Sequence, residues 1–189
     1  MVPRWKLVLI AVLAFAGALA GVFAAIKLAA PPETADALFA RAKARATVEH
    51  KNVLLVFSAS WCGPCKRYER FLENGEMRAI TEKAFVVQRI EVGEHPDDSR
   101  HQNTPGGEAL LSALGANGKR VVPFLMITDK NGEPIVNSYR NGDADDSIGY
   151  PADPSDIDWY CQMLLRAAPN LSVEDLAATD NWLLDHAAR

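Results

Sequence analysis

Apolar positions along this chain change their spacing several times, and each change marks an element. From Leu7 to Ile26 the sequence is uncharged and rich in Ala and Leu, with Arg4 and Lys6 ahead of it. As a helix this stretch would reach about 30 Å, the thickness of a bilayer core. Pro31, Pro32 and Glu33 read as a short linker, after which Leu38, Phe39 and Ala42 recur at helical spacing and predict a first helix over residues 34 to 46. The run from Val53 to Phe57 is continuously apolar, as a buried strand requires. An amphipathic segment from Lys66 to Leu72 predicts a helix closed by Asn74 and Gly75. A further helical turn or two follows from Glu76 to Lys83, and then a strand from Phe85 to Val92.

A polar stretch from Gly93 to Thr104 interrupts this pattern. Beyond it, Gly107 to Leu114 reads as a helix, Val121 to Thr128 as a strand, and Asp129 to Gly132 as a hairpin turn into Ile135 to Tyr139. Two helices end the chain, Pro154 to Ala168 and Ser172 to His186, the second opened by Ser172 and Asp175 at capping-box spacing. The alternation predicts an α/β sheet flanked by helices. Residues 31 to 189 suffice for one core, and they hold neither repeats nor low-complexity tracts.

Between the first strand and its helix lies the segment Trp61, Cys62, Gly63, Pro64, Cys65, Lys66. Two thiols separated by two residues can close a reversible disulfide across one helical turn. At a helix N-terminus, unpaired N–H groups and the macrodipole favour an anion, so the Cys62 thiolate is expected to form below the free thiol value of about 8.5. Cys62 is therefore the expected nucleophile. Cys65, one turn in and more covered, is the expected resolving thiol. The pair could also be half of a zinc site or a chance spacing. Zinc needs a second pair or histidines at ligand spacing, and the remaining cysteine, Cys161, stands alone.

That six-residue segment, the strand before it, and Val122, Pro123 and Phe124 followed by Leu125 to Ile127 resemble the thioredoxin family over roughly residues 47 to 140. The resemblance implies a thioredoxin-like α/β fold with a central mixed sheet flanked by helices. An N-terminal membrane segment and an extra C-terminal helix, within an extension of about residues 154 to 189, are additions to it. It implies a cis peptide before Pro123, with this proline packed beside the disulfide. The site residues carried over are Cys62, Cys65 and Pro123, surrounded by Trp61, Gly63, Pro64 and Lys66. The Gly-Pro pair between the cysteines matches the reducing branch of the family, and neither a bound cofactor nor a metal is implied. Two departures stand out. Where the family usually keeps a buried Asp, six residues before the first cysteine, this chain has Val56; Glu69 and Glu91 are substitutes in principle but read as solvated surface carboxylates. The polar stretch, about 93 to 106 with its flanks, is an insertion expected to shape the rim of the site.

The N-terminal pattern fits an uncleaved anchor at residues 7–26, which is favoured, or a secretory signal with a small-residue cleavage site at Ala18, Leu19 and Ala20. Either way Arg4 and Lys6 stay in the cytoplasm and the domain lies beyond the membrane, in a bacterium the periplasm. Residues 1–30 hold three of the 20 basic residues and none of the 24 acids, so residues 31–189 carry a formal charge of −7, which argues against nucleic acid as a partner. The expected partners are disulfide-containing client proteins and a membrane thiol-disulfide electron donor, since an oxidising compartment does not keep a dithiol reduced. Alternatives from another class are a thioredoxin-fold binding module, or a copper-delivery protein using both cysteines and a histidine of the insertion, His95 or His101, beside Asp97 and Asp98. Cys161, between Trp159-Tyr160 and Met163-Leu164, reads as a small buried hydrophobe. The acids from Asn141 to Asp146 lack the glycine and glutamate of a calcium loop and read as solvated. Tyr150 is expected to cover apolar surface.

Overall fold

The first helix, α1 (Ala35–Glu49), is set by its ends. The Thr34 hydroxyl accepts from the Ala37 amide at 3.2 Å, and His50 closes the helix in the left-handed region. Ala35, Phe39, Ala42 and Ala46 form its buried stripe. In the computed structural model, which describes residues 31–118 and 121–186, α1 is followed by β1 (Asn52–Ser58), α2 (Gly63–Glu73), α3 (Gly75–Ala84) and β2 (Phe85–Glu91). Then come α4 (Gly107–Ala113), β3 (Phe124–Thr128), β4 (Pro134–Asn137), α5 (Pro154–Ala167) and α6 (Val173–His186). The apolar stretch at residues 7–26, and the anchor or signal read from it, lie outside the described residues.

The sheet order is β2-β1-β3-β4. β1 runs parallel to β2, pairing Asn52 with Phe85 and Ser58 with Glu91, and antiparallel to β3, pairing Val53 with Thr128 and Phe57 with Phe124. A strand paired on both edges and covered on both faces must be apolar throughout, and Val53 to Ser58 are all buried. Leu54, Val56, Leu125 and Ile127 point to a core completed by Tyr68, Phe71, Met77 and Ile80 of α2 and α3 and by Trp159, Tyr160, Met163 and Leu183 of α5 and α6. Val53, Leu55, Phe57, Phe124 and Met126 point the other way, onto Phe39, Ala42, Leu110 and Leu111 of α1 and α4. The result is a sheet between helical layers, as the residue pattern predicts, and a mixed one, as the family resemblance implies, with α6 following α5.

Two strands begin later or end sooner than their apolar runs suggest. β3 starts at Phe124, not Val121, because Pro123 has no N–H to give a ladder, and the Val122–Pro123 peptide is cis. β4 stops at Asn137, and Tyr139 instead makes an isolated bridge to Ser147. The turn between β3 and β4 is held by the Asp129 carboxylate, which accepts from the amides of Asn131, Gly132 and Glu133 at 2.8 to 2.9 Å, with Gly132 at positive φ. The capping box is present: the Ser172 amide donates to the Asp175 carboxylate at 3.0 Å, and the Asp175 amide to the Ser172 hydroxyl at 3.2 Å.

Candidate active site

Strand register builds the site. β1 ends at Ser58, so Ala59 to Cys62 emerge at its C-terminal end, and the pairing of Phe57 with Phe124 brings Pro123 level with that exit. On the other side, pairing of Ser58 with Glu91, continued by the Val92 amide on the Ser58 carbonyl at 2.8 Å, brings the insertion there too.

Cys62 is the N-cap of α2, with extended backbone, and Pro64 lies in the first turn, where its missing N–H costs nothing. The Cys62 Sγ accepts from the Cys65 amide at 3.1 Å and lies 3.3 Å from the Val122 carbonyl oxygen, the residue before Pro123. The two cysteines form a disulfide, with Cα atoms 5.3 Å apart. Burial does not separate them: Cys62 is 3% and Cys65 4% exposed. The expectation that Cys65 is the more covered thiol is therefore not met, and what distinguishes Cys62 is its capping position. Trp61 is 52% exposed, its Nε1 donating to the Gly93 carbonyl at 2.9 Å and its ring lying 5.9 Å from that of His95. Between Trp61, Val122 and Phe124 opens a mainly apolar groove of about 200 Å³, floored by Val92 and Leu111.

The other side of Cys65 is polar. It borders a cleft of about 400 Å³ with Glu69, Arg89, Glu91 and Glu94, whose outer wall is Arg100 and His101 of the insertion. Cys65 also borders a smaller space of about 220 Å³ with Val56, Ser58, Tyr68 and Glu69. Val56 thus lines the same space as Cys65. Glu69 and Glu91 both pair with Arg89, the Glu91 contact at 2.7 Å; Glu69 remains a surface carboxylate as expected, with 40% of its side chain exposed, whereas Glu91 is part-buried. Burial pushes the Glu91 carboxyl above its ordinary value, opposed by Arg89 and aided by Glu94, and its Oε2 is buried without a partner among the described residues.

Glu94 is the residue that sequence reasoning passed over. It is 6% exposed, and its carboxylate accepts from both the amide of Ser60, at 2.5 Å, and the Ser60 hydroxyl, at 2.7 Å. Its own amide donates to Asn103 at 2.9 Å. One signal was available, since an acid directly after Gly93 at the end of an apolar strand sits where the chain returns to the site.

The remaining candidates divide clearly. His101 Nδ1 contacts the Asp98 carboxylate at 2.9 Å, and among the described residues no three His, Cys, Asp or Glu side chains converge as metal ligands would. Cys161 is half-buried against the core, and burial pushes its thiol up to about 11. Asp146 pairs with Arg140 at 3.3 Å, so the acidic loop is a turn closed on an arginine. Tyr150 is buried in the main core, as expected.

A thioredoxin-like family model matches residues 34–130, just over half of the chain, and the chain belongs to the thioredoxin-like family. Over 152 residues it is 28% identical to the thiol:disulfide interchange protein DsbD of Vibrio cholerae serotype O1, a match that covers 73% of this chain and 24% of that protein. The chain therefore spans about a quarter of that relative's length. Among solved structures it is similar to a disulphide isomerase from Xylella fastidiosa Temecula1, with 28% identity, TM-score 0.42, and 51% of this chain and 67% of that one covered. It is also similar to the DsbD C-terminal domain of Neisseria meningitidis in its oxidised form, with 24% identity, TM-score 0.39, and 70% and 98% covered.

Proposed function

We propose that this chain is a thiol-disulfide oxidoreductase that reduces disulfides of exported proteins on the far side of a membrane, to which residues 7–26 tether it. The observation that carries the reading is Cys62 at the N-cap of α2, with its sulfur between the Cys65 amide and the carbonyl before Pro123. In the reduced enzyme the Cys62 thiolate attacks one sulfur of a client disulfide, forming a mixed disulfide and expelling one client thiolate. Cys65 then gives up its proton and attacks the Cys62 sulfur. The second client thiol leaves, and the two electrons of the dithiol have passed to the client. Resetting the Cys62–Cys65 disulfide needs a two-electron thiol donor, which a membrane dithiol partner would supply.

Each neighbouring residue has a part. The Cys65 amide stabilises the Cys62 thiolate as a donor. Pro123 fixes the Val122 carbonyl toward Cys62 and, lacking an N–H, leaves this edge to an extended client segment. Trp61, Gly63, Pro64 and Lys66 frame the approach. Domain boundaries follow the same reading: residues 1–30 direct the chain to the membrane, and residues 31–189 form the redox domain. Among the described residues no helix is long and apolar enough to cross a membrane.

The deciding measurement is the reduction potential of the Cys62–Cys65 pair in glutathione buffers. A value at or below about −230 mV supports reduction, whereas one near or above about −180 mV, in the range of oxidants and isomerases, overturns it.

A further inference from the structure

A further small pocket, of about 130 Å³, lies on α2 away from the cleft beside Cys65, its walls mostly apolar ring and side-chain surface, lined by Arg67, Arg70, Tyr150, Trp182 and His186. Its cations are unusual for a domain with formal charge −7. Arg67 and Arg70 are three apart on one helix, so their guanidiniums share a face and repel. Among the described residues neither has a carboxylate partner, although Arg41, Arg45, Arg89 and Arg140 each have one.

The walls hold Arg67 in place without consuming its donors. The Arg67 guanidinium stacks over the buried Tyr150 ring, 5.1 Å from its centroid, which uses its face and leaves the N–H edges free to donate. Trp182 is fixed from behind by Phe71, with ring centroids 5.2 Å apart, and stacks on His186 at 3.9 Å and 8° between planes. His186 is itself tied to the Trp182 carbonyl through Nδ1 at 2.7 Å. Trp182 and His186 belong to α6, the helix added to the fold, so the addition completes this pocket.

We propose that this pocket binds a small oxyanion, a carboxylate or phosphate group, between the guanidiniums of Arg67 and Arg70. Two planar guanidinium forks match such a group bidentately. The pocket is too small for much beyond the anionic head, so the group arrives either free or at the end of an acidic side chain.

The test is calorimetric titration of the full-length oxidised chain with inorganic phosphate and, separately, with glutarate, each against a chloride control. The wild type should bind at least one anion saturably, and Arg67→Gln/Arg70→Gln should weaken it tenfold or more. Arg67→Lys/Arg70→Lys keeps the charge but loses the fork and should fall between the two. Should the glutamine variant not fold, the lysine variant alone decides, since binding equal to wild type removes the bidentate site. Saturation by phosphate alone identifies a phosphate site, and saturation by glutarate alone an acidic side-chain site. No saturable binding of either anion, or undiminished binding in the glutamine variant, overturns the proposal.

Discussion

Glu94 grips Ser60 with both carboxylate oxygens, one on the backbone amide at 2.5 Å and one on the hydroxyl at 2.7 Å. Ser60 lies two residues before Cys62, so a nearly buried carboxylate is fastened to the turn that carries Cys62. With the Trp61 indole on the Gly93 carbonyl, the insertion holds this turn at two successive residues. A charge so placed opposes formation of a thiolate nearby, and a less stable thiolate makes a dithiol a better reductant.

Glu94→Gln should therefore lower the pKa of the Cys62 thiol. The amide keeps one acceptor for the Ser60 N–H but removes the charge, so alkylation of the reduced protein should become faster at neutral pH and its pH profile should shift downward. Glu94→Ala should in addition cost about 1 to 3 kcal/mol, because a part-buried amide loses its partner. Iodoacetamide kinetics across pH, read at Cys62 by mass spectrometry, provide the check. An unchanged profile in Glu94→Gln would leave Glu94 a purely structural clamp.

The two cysteines are equally buried, so their roles must be separated by reactivity. Cys62→Ser should abolish disulfide reduction. Cys65→Ser should accumulate mixed disulfides with clients, visible as thiol-sensitive adducts on non-reducing gels. Faster alkylation of Cys65 than of Cys62 in the reduced native protein would reverse the assignment.

The cap of α6 links stability to pH. Asp175 accepts from the Ser172 amide and from Lys83 at 2.5 Å, and Lys83 first, then the amide, hold its carboxyl below the ordinary value. A carboxyl depressed in the folded state contributes stability that is fully present above its unfolded value of about 3.9 and is lost as pH falls through the folded value. Asp175→Ala should cost about 0.5 to 2 kcal/mol at pH 7, the range for a lost cap. The gap between variant and wild type should narrow in denaturant titrations below about pH 4. A gap that stays constant to low pH would assign the loss to packing alone.

Much of this was legible because local patterns and tertiary needs agree. The run from Val53 to Phe57 reads as a central strand because both faces and both edges of β1 are covered, and Ser172 with Asp175 reads as a cap because the motif is local. What stayed hidden depends on register. Arg89 and Glu91 stand two apart on one face of β2, so their pairing is local, but nothing near Glu69 in sequence announces its partner, since the Glu69–Arg89 pair requires α2 to pack over β2. Glu94 was masked by its setting in a polar stretch, where an acid is ordinarily solvated. The hydrogen bond between the Tyr68 and Tyr160 hydroxyls, at 3.1 Å, joins residues 92 apart in the main core. No local pattern encodes such a contact. Cis geometry before Pro123 entered through the family resemblance, as composition does not distinguish it.

A resolving role for Cys65 would require its thiol to lose a proton. With Val56 where the family usually keeps an Asp, the candidate acceptors are Glu69, which borders both clefts beside Cys65, and Glu91, which borders the larger one. Glu91 has the raised carboxyl and a buried, unpartnered oxygen, and the cleft has room for a bridging water. A carboxylate accepts a proton only when ionised, so mixed-disulfide resolution should slow as pH falls through that raised value. Replacing both, Glu69→Gln with Glu91→Gln, should slow resolution at neutral pH by about tenfold or more and move its rise to higher pH, toward the thiol's own titration. Adding Val56→Asp to that background should restore the rate, at a cost of about 1 to 3 kcal/mol for burying a polar group with few partners. Stopped-flow resolution of a preformed Cys62 mixed disulfide, followed across pH in wild type, double and triple variants, decides the matter. If the double variant resolves like the wild type at every pH, the carboxylates beside Arg89 are only an ion-pair network, and Cys65 loses its proton directly to solvent.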